Sequence, residues 1–124
     1  MKGIALIFMI ASAVCALAGM IWGIQMSISG NHTLASAHAH LNLLGWVSLA
    51  IFGFYYHLVP QAAAQALAKV HLVVALAGVV MIVPGIVMAI RTTGETLAKI
   101  GSLLTIVSML IFLVVLLTSS RRAA

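Results

Sequence analysis

Apolar residues run through this chain in four long blocks separated by short polar interruptions. The blocks cover residues 4–26, 34–60, 69–90 and 97–118. Each is long enough to cross a bilayer as a helix, because about 20 residues at roughly 1.5 Å each span the hydrocarbon. The interruptions are residues 27–33 (SISGNHT), 61–68 (QAAAQALA) and 91–96 (RTTGET). Gly30 and Asn31 mark a turn in the first, and Pro60 closes the second block. The pattern predicts an all-α integral membrane protein, a single domain over residues 1–124 with four transmembrane helices. Pro84-Gly85 inside the third block predicts a kink, which either opens room for a flat ligand or is an ordinary bend.

The first block also has the outline of a secretory signal, with Lys2 ahead of it and small residues near position 16. Its apolar run reaches Met26, beyond a signal core. Val14 stands where a lipoprotein signal places a small residue before its cysteine. The block is therefore read as a span.

Composition agrees. The chain is 65% hydrophobic and 6% charged, with mean hydropathy +1.28, too little polar surface to cover a soluble domain of this size. The net charge of +5 would raise nucleic acid as a partner in a soluble chain. Here the bases sit at span ends, where they set orientation and touch anionic lipid, so nucleic-acid binding is excluded. Four spans put both termini on one side. Lys2, Lys69, Arg121 and Arg122 then share one face, against Arg91 and Lys99 with the lone acid Glu95 on the other. The first face is expected to be cytoplasmic, in a bacterial inner membrane. Cys15 reads as a small buried hydrophobe.

The second block carries the chemistry. It opens with His38 and His40 and ends with His57, and imidazole inside a span is costly enough to signal function. Residues two apart on a helix point about 200° apart, so His38 and His40 cannot grip one metal ion together. They suit two cofactors on opposite flanks, or one cofactor shared between copies. His40 and His57 are separated by roughly 25 Å of helix and cannot serve one site in one subunit.

These residues carry a family resemblance. The run His38-Ala-His40, Leu44-Gly45-Trp46, Phe52-Gly53, Tyr55-Tyr56 and Leu58-Val59-Pro60 resembles the tenth transmembrane helix of the haem–copper oxidase superfamily. The likeness is strongest to C-family oxidases and nitric-oxide reductases. The segment His40-Leu-Asn-Leu-Leu is also similar to the second helix of nitric-oxide reductases, which supplies the other low-spin haem ligand. The match covers about 25 of the 124 residues. It implies that His38 corresponds to the axial ligand of the active-site haem and His40 to a ligand of the low-spin haem. It also implies that the chain is one four-helix arc of an oxidase-like twelve-helix ring, which a homotrimer would rebuild with three copies of the His-x-His helix.

Haem suits a lone imidazole projecting from an apolar span, since the macrocycle is apolar and its iron takes one or two axial nitrogens. No Cys-x-x-Cys-His is present, which points to non-covalent haem b. Arg91, and less directly Lys99, stand at the end where propionates beside His38 and His40 would emerge. Trp46 and Gly45 lie mid-span, where a ring edge could pack closely. Because His38 and His40 face opposite flanks, His38 of one copy is expected to meet the haem held by His40 of the next. The reading is a cytochrome b-like protein, with haem at subunit interfaces and one-electron transfer to a redox partner protein. A singly ligated iron would instead bind nitric oxide, carbon monoxide or oxygen.

Departures from the family limit the chemistry. An oxygen-reducing centre needs three further histidines, and only His57 and His71 remain, toward the other end. Proton routes use buried carboxylates, and the one acid lies in a connector. A complete oxidase is not expected. His57 and His71 read as headgroup anchors, or as a second metal site beside the short turn. His32 reads as a solvated loop residue, and Trp22, Tyr55 and Tyr56 as an aromatic belt. Two other classes compete. A copper or other metal handler using His32, His38 and His40 would bind metal without a Soret band. An accessory subunit of a respiratory complex would carry no cofactor and form no stable homo-oligomer alone.

Overall fold

The computed structural model describes residues 1–123, with no strand among them. Four helices are long and apolar enough to cross a membrane: Gly3–Ser29, Ala35–Leu58, Ala66–Ile90 and the helix Thr96–Ala123. This is the architecture of a multi-pass membrane protein. The side chain of Arg122, one of the four bases used above to orient the chain, lies outside the described part.

Helix ends follow local chemistry. The first helix continues three residues past the expected Met26 and stops at Gly30, whose positive φ of 67° lets its N–H close on the Met26 carbonyl at 3.0 Å. The second stops at Val59, because Pro60 forces the preceding residue out of the helical region, to φ −124° and ψ 74°. Pro60 then opens a short helical turn, Pro60–Ala63, so the alanine-rich connector is more helical than its sequence suggests.

Pro84 does not break the third helix, which runs unbroken from Ala66 to Ile90. The neighbouring glycine is spent on packing. A Cβ on Gly85 would strike the backbone of Ala98, and one on Gly101 would lie 2.5 Å from the Ile82 nitrogen. The third and fourth helices therefore meet backbone to backbone, the small-residue contact that holds helices together where lipid removes any hydrophobic drive. No space for a flat ligand opens at Pro84-Gly85.

The second helix contains the main irregularity. Leu41–Ser48 is π-helical and follows directly after His40. Wide turns of this kind misalign backbone carbonyls, and side chains here reach two of them. Ser12 Oγ, from the first helix, donates to the Trp46 carbonyl at 2.8 Å, and Ser48 Oγ donates to the Leu43 carbonyl at 2.8 Å. Gly45 faces the Cys15 side chain so closely that a Cβ would come within 2.8 Å of Sγ.

An aromatic cluster fills the other half of the bundle. Phe8, Phe52, Tyr56 and Phe112 converge from three helices and enclose His71. The first helix turns Ile10, Val14, Leu17, Ile21 and Ile24 outward, an apolar face suited to lipid.

Candidate functional site

The histidines of the second helix diverge as their spacing requires. His38 turns toward the first helix. Its Nε2 lies 2.9 Å from the Gly19 carbonyl oxygen, and its ring meets Trp22 edge-on at 5.8 Å between centroids. A carbonyl only accepts, so Nε2 carries the proton and the His38 lone pair sits on Nδ1. Asn42, one turn on, donates to the His38 carbonyl at 3.0 Å and completes the packing. His38 is held inside its own chain.

His40 is arranged differently. Its Nδ1 lies 2.7 Å from the Ser36 carbonyl, so Nδ1 is protonated and Nε2 carries the lone pair. Among the described residues Nε2 has no hydrogen-bond partner, and the residue is only half-buried. The ring is half-buried at the top of an outward stripe that continues through Leu43, Trp46 and Val47, each exposed. Metal-binding imidazoles take this form, with one nitrogen anchored to a carbonyl and the other offered outward. His40 therefore fits an axial ligand of a group docked on that face.

The remaining expected site residues divide. Trp46, six residues beyond His40, is 45% exposed. Gly45 points inward, where it admits Cys15 rather than a ring edge. Arg91 lies apart from both, over a cavity of ≈ 400 Å³ at the connector end that Trp22, Gln25, Ser29, Asn31 and Thr33 also line. Lys99 is paired with Glu95 at 3.3 Å. Trp22 links the two regions, touching His38 on one side and the Arg91 cavity on the other. Among the described residues, no cluster of three or more histidine, cysteine or acidic side chains forms a metal site within one chain.

The terminal end, which carries Lys2 and Pro60, corrects two expectations. His71 is not a wet headgroup anchor: it is 0% exposed, with Nδ1 2.9 Å from the Tyr56 hydroxyl. Tyr56 is not part of an interfacial belt, being 1% exposed and stacked on Phe8. Trp22, at the other end of the bundle, is half-buried, packs against His38 and lines the Arg91 cavity. His57 alone of this group stays exposed, and His32 is exposed in its connector with Nδ1 3.2 Å from the Gly30 carbonyl.

Sequence reasoning missed Ser36, Gly19 and Asn42, which set the two imidazoles. The Ser36 and Asn42 contacts are one-turn neighbours of His40 and His38 and follow from helical spacing. The Gly19 contact needs the helix packing. Comparison of the chain with protein-family models, curated proteins and solved structures gives no match.

Proposed function

We propose that this chain is a membrane haem b-binding protein of cytochrome b type, in which His40 is an axial ligand on a lateral face shared between copies. The observation that carries this reading is the His40 ring itself. Its Nδ1 is fixed on the Ser36 carbonyl, its Nε2 lone pair is free, and apolar side chains continue below it. Bound there, an iron porphyrin supplies a one-electron couple and an apolar ring that helices can cover. The resemblance of the His-x-His helix to the haem–copper oxidase superfamily supports a homotrimer, one four-helix arc per copy. In that ring His38 of a neighbouring copy would provide a second nitrogen to the iron. Its hydrogen bond to the Gly19 carbonyl is worth about 1 kcal/mol. The Arg91 cavity, at the connector end of the bundle, offers a cation for propionates. The excess of bases at the terminal end supports cytoplasmic termini in a bacterial inner membrane. Without carboxylates in the bundle or a histidine cluster for copper, electron transfer is favoured over oxygen reduction.

One observation favours a second reading. If His38 stays on the Gly19 carbonyl, as its 2.9 Å contact favours, the iron keeps an open position for nitric oxide, carbon monoxide or oxygen. Spectra of the purified protein, oxidised and reduced, with pyridine haemochrome quantification, test both readings. A Soret band lost in His40→Ala and kept in His57→Ala is the expected pattern. A band shift of the wild type on adding carbon monoxide selects the gas-binding form. A colourless preparation defeats both.

A further inference from the structure

The cavity beside Arg91 is lined by hydrogen-bond donors with nothing to donate to. Its ≈ 400 Å³ lie at the connector end of the bundle, bordered by Trp22, Gln25, Ser29, Asn31, Thr33 and Arg91 among others. Helix ends of membrane spans stand at the level of the lipid headgroups. Asn31 Oδ1 accepts from the Thr33 N–H at 3.0 Å and from the Thr33 hydroxyl. A backbone N–H can only donate, so this contact fixes which end of the amide is oxygen. Ser29 Oγ accepts from the Asn31 N–H at 3.2 Å. The oxygens of this connector are thus spent on its own turn. The Asn31 amide N–H groups, the Trp22 indole N–H, the Gln25 amide and the Arg91 guanidinium have no partner among the described residues.

Charge points the same way. The lone acid, Glu95, is 3.3 Å from Lys99, and the two line a separate opening. Among the described residues no carboxylate borders the Arg91 cavity. The backbone that carries Arg91 is pinned. Just after it, Thr93 holds the Met88 carbonyl with its N–H at 2.9 Å and its hydroxyl at 3.0 Å. Between them Thr92 takes a positive φ of 58°, a conformation that a β-branched residue rarely adopts. On the first helix Ile21, one turn toward the membrane centre from Gln25, is exposed and offers an apolar track to acyl chains.

We propose that this cavity binds the phosphodiester headgroup of an anionic phospholipid. Arg91 supplies the charge, and Trp22, Gln25 and Asn31 supply neutral donors. A phosphate accepts from several directions at once and suits the guanidinium fork. A zwitterionic headgroup adds an ammonium that finds no carboxylate here, so lipids of net negative charge are preferred. The site does not depend on haem at His40. A haem propionate is an oxyanion of the same charge and would compete with the lipid for Arg91.

Native mass spectrometry of the full chain, titrated in detergent with phosphatidylglycerol or phosphatidylcholine, tests this. The wild type is expected to hold one phosphatidylglycerol per chain at least about tenfold more tightly than phosphatidylcholine, a factor equal to about 1.4 kcal/mol. Arg91→Gln is expected to abolish that preference. Lys69→Gln, which removes the same charge at the opposite end of the third helix, is expected to keep it. An equal loss in both variants would reduce the effect to general surface attraction and overturn the proposal. His40→Ala separates the site from the cytochrome reading, because the lipid preference should persist there whether or not haem is bound. Its loss in a folded His40→Ala protein would assign the cavity to propionates instead. Displacement of the lipid by millimolar inorganic phosphate would make this a free-anion site, against the proposal. A wild type without preference sinks it whatever the variants do.

Discussion

His38 Nε2 stands 2.9 Å from the carbonyl oxygen of Gly19, on the preceding helix. That contact gives His38 two competing duties, pinning the first helix to the second or ligating iron across an interface. Replacing it separates them. In the cytochrome reading, His38→Ala keeps haem on His40 but opens one coordination position, so the variant gains carbon monoxide binding that the wild type lacks. Difference spectra with and without carbon monoxide measure this. Unaltered spectra and an unaltered response to the gas would remove His38 from the ligand set.

The π-helical turn below His40 depends on a hydroxyl from another helix. Ser12 is buried and donates to the Trp46 carbonyl at 2.8 Å. Ser12→Ala is therefore expected to lower stability by about 1 kcal/mol, near the value found for single hydrogen bonds within membranes. Ser102 is the control. Its hydroxyl bonds only the Ala98 carbonyl one turn back on an exposed surface, and Ser102→Ala should change stability by less than about 0.5 kcal/mol. Thermal unfolding in one detergent compares the two, and equal effects would show that Ser12 does not hold the turn.

The four spans are readable because each is a run of apolar letters longer than the bilayer is thick. The opposed directions of His38 and His40 are readable too, since 100° per residue fixes them wherever the helix is regular. The π-helical segment is not, because Leu41–Ser48 contains nothing that demands it. The wide turn is stabilised from outside, by Ser12 at the Trp46 carbonyl and by the fit of Cys15 against Gly45. His71 misleads for the same reason. Two residues after Lys69 it looks like a membrane-edge anchor, and its burial depends on Phe8 and Phe112, which lie far from it in sequence. Pro84 misleads in the opposite sense, since the glycine after it closes the space that a kink would have opened.

The third and fourth helices make the tightest joint in the molecule. A methyl group on Gly101 would sit 2.5 Å from the Ile82 nitrogen and 2.6 Å from its Cα. Backbone atoms cannot swing aside as a side-chain tip can, so Gly101→Ala must part the helices. The cost is expected to be about 1–3 kcal/mol or more, the range for overpacked cores. Gly30→Ala strains only a positive φ of 67° with open space around it, at about 1–2 kcal/mol. Thermal unfolding ranks them, Gly101→Ala being the more damaging.

Phe8 is the keystone of the aromatic half. It is fully buried and lies 5.7 Å from Phe52, 5.6 Å from Tyr56 and 5.3 Å from His71, measured between ring centroids. Within a bilayer such a cluster is held by packing rather than by expulsion from water, so a hole in it is not refilled by a hydrophobic drive. Phe8→Ala is expected to cost about 3–5 kcal/mol, and Phe8→Leu clearly less because most of the volume stays filled. The haem band, if carried by His40 at the opposite end of the second helix, should survive Phe8→Leu unchanged. Unfolding midpoints and visible spectra recorded on the same samples check both statements. A lost band in a well-folded Phe8→Leu protein would mean that the cofactor sits among these rings and not beside His40.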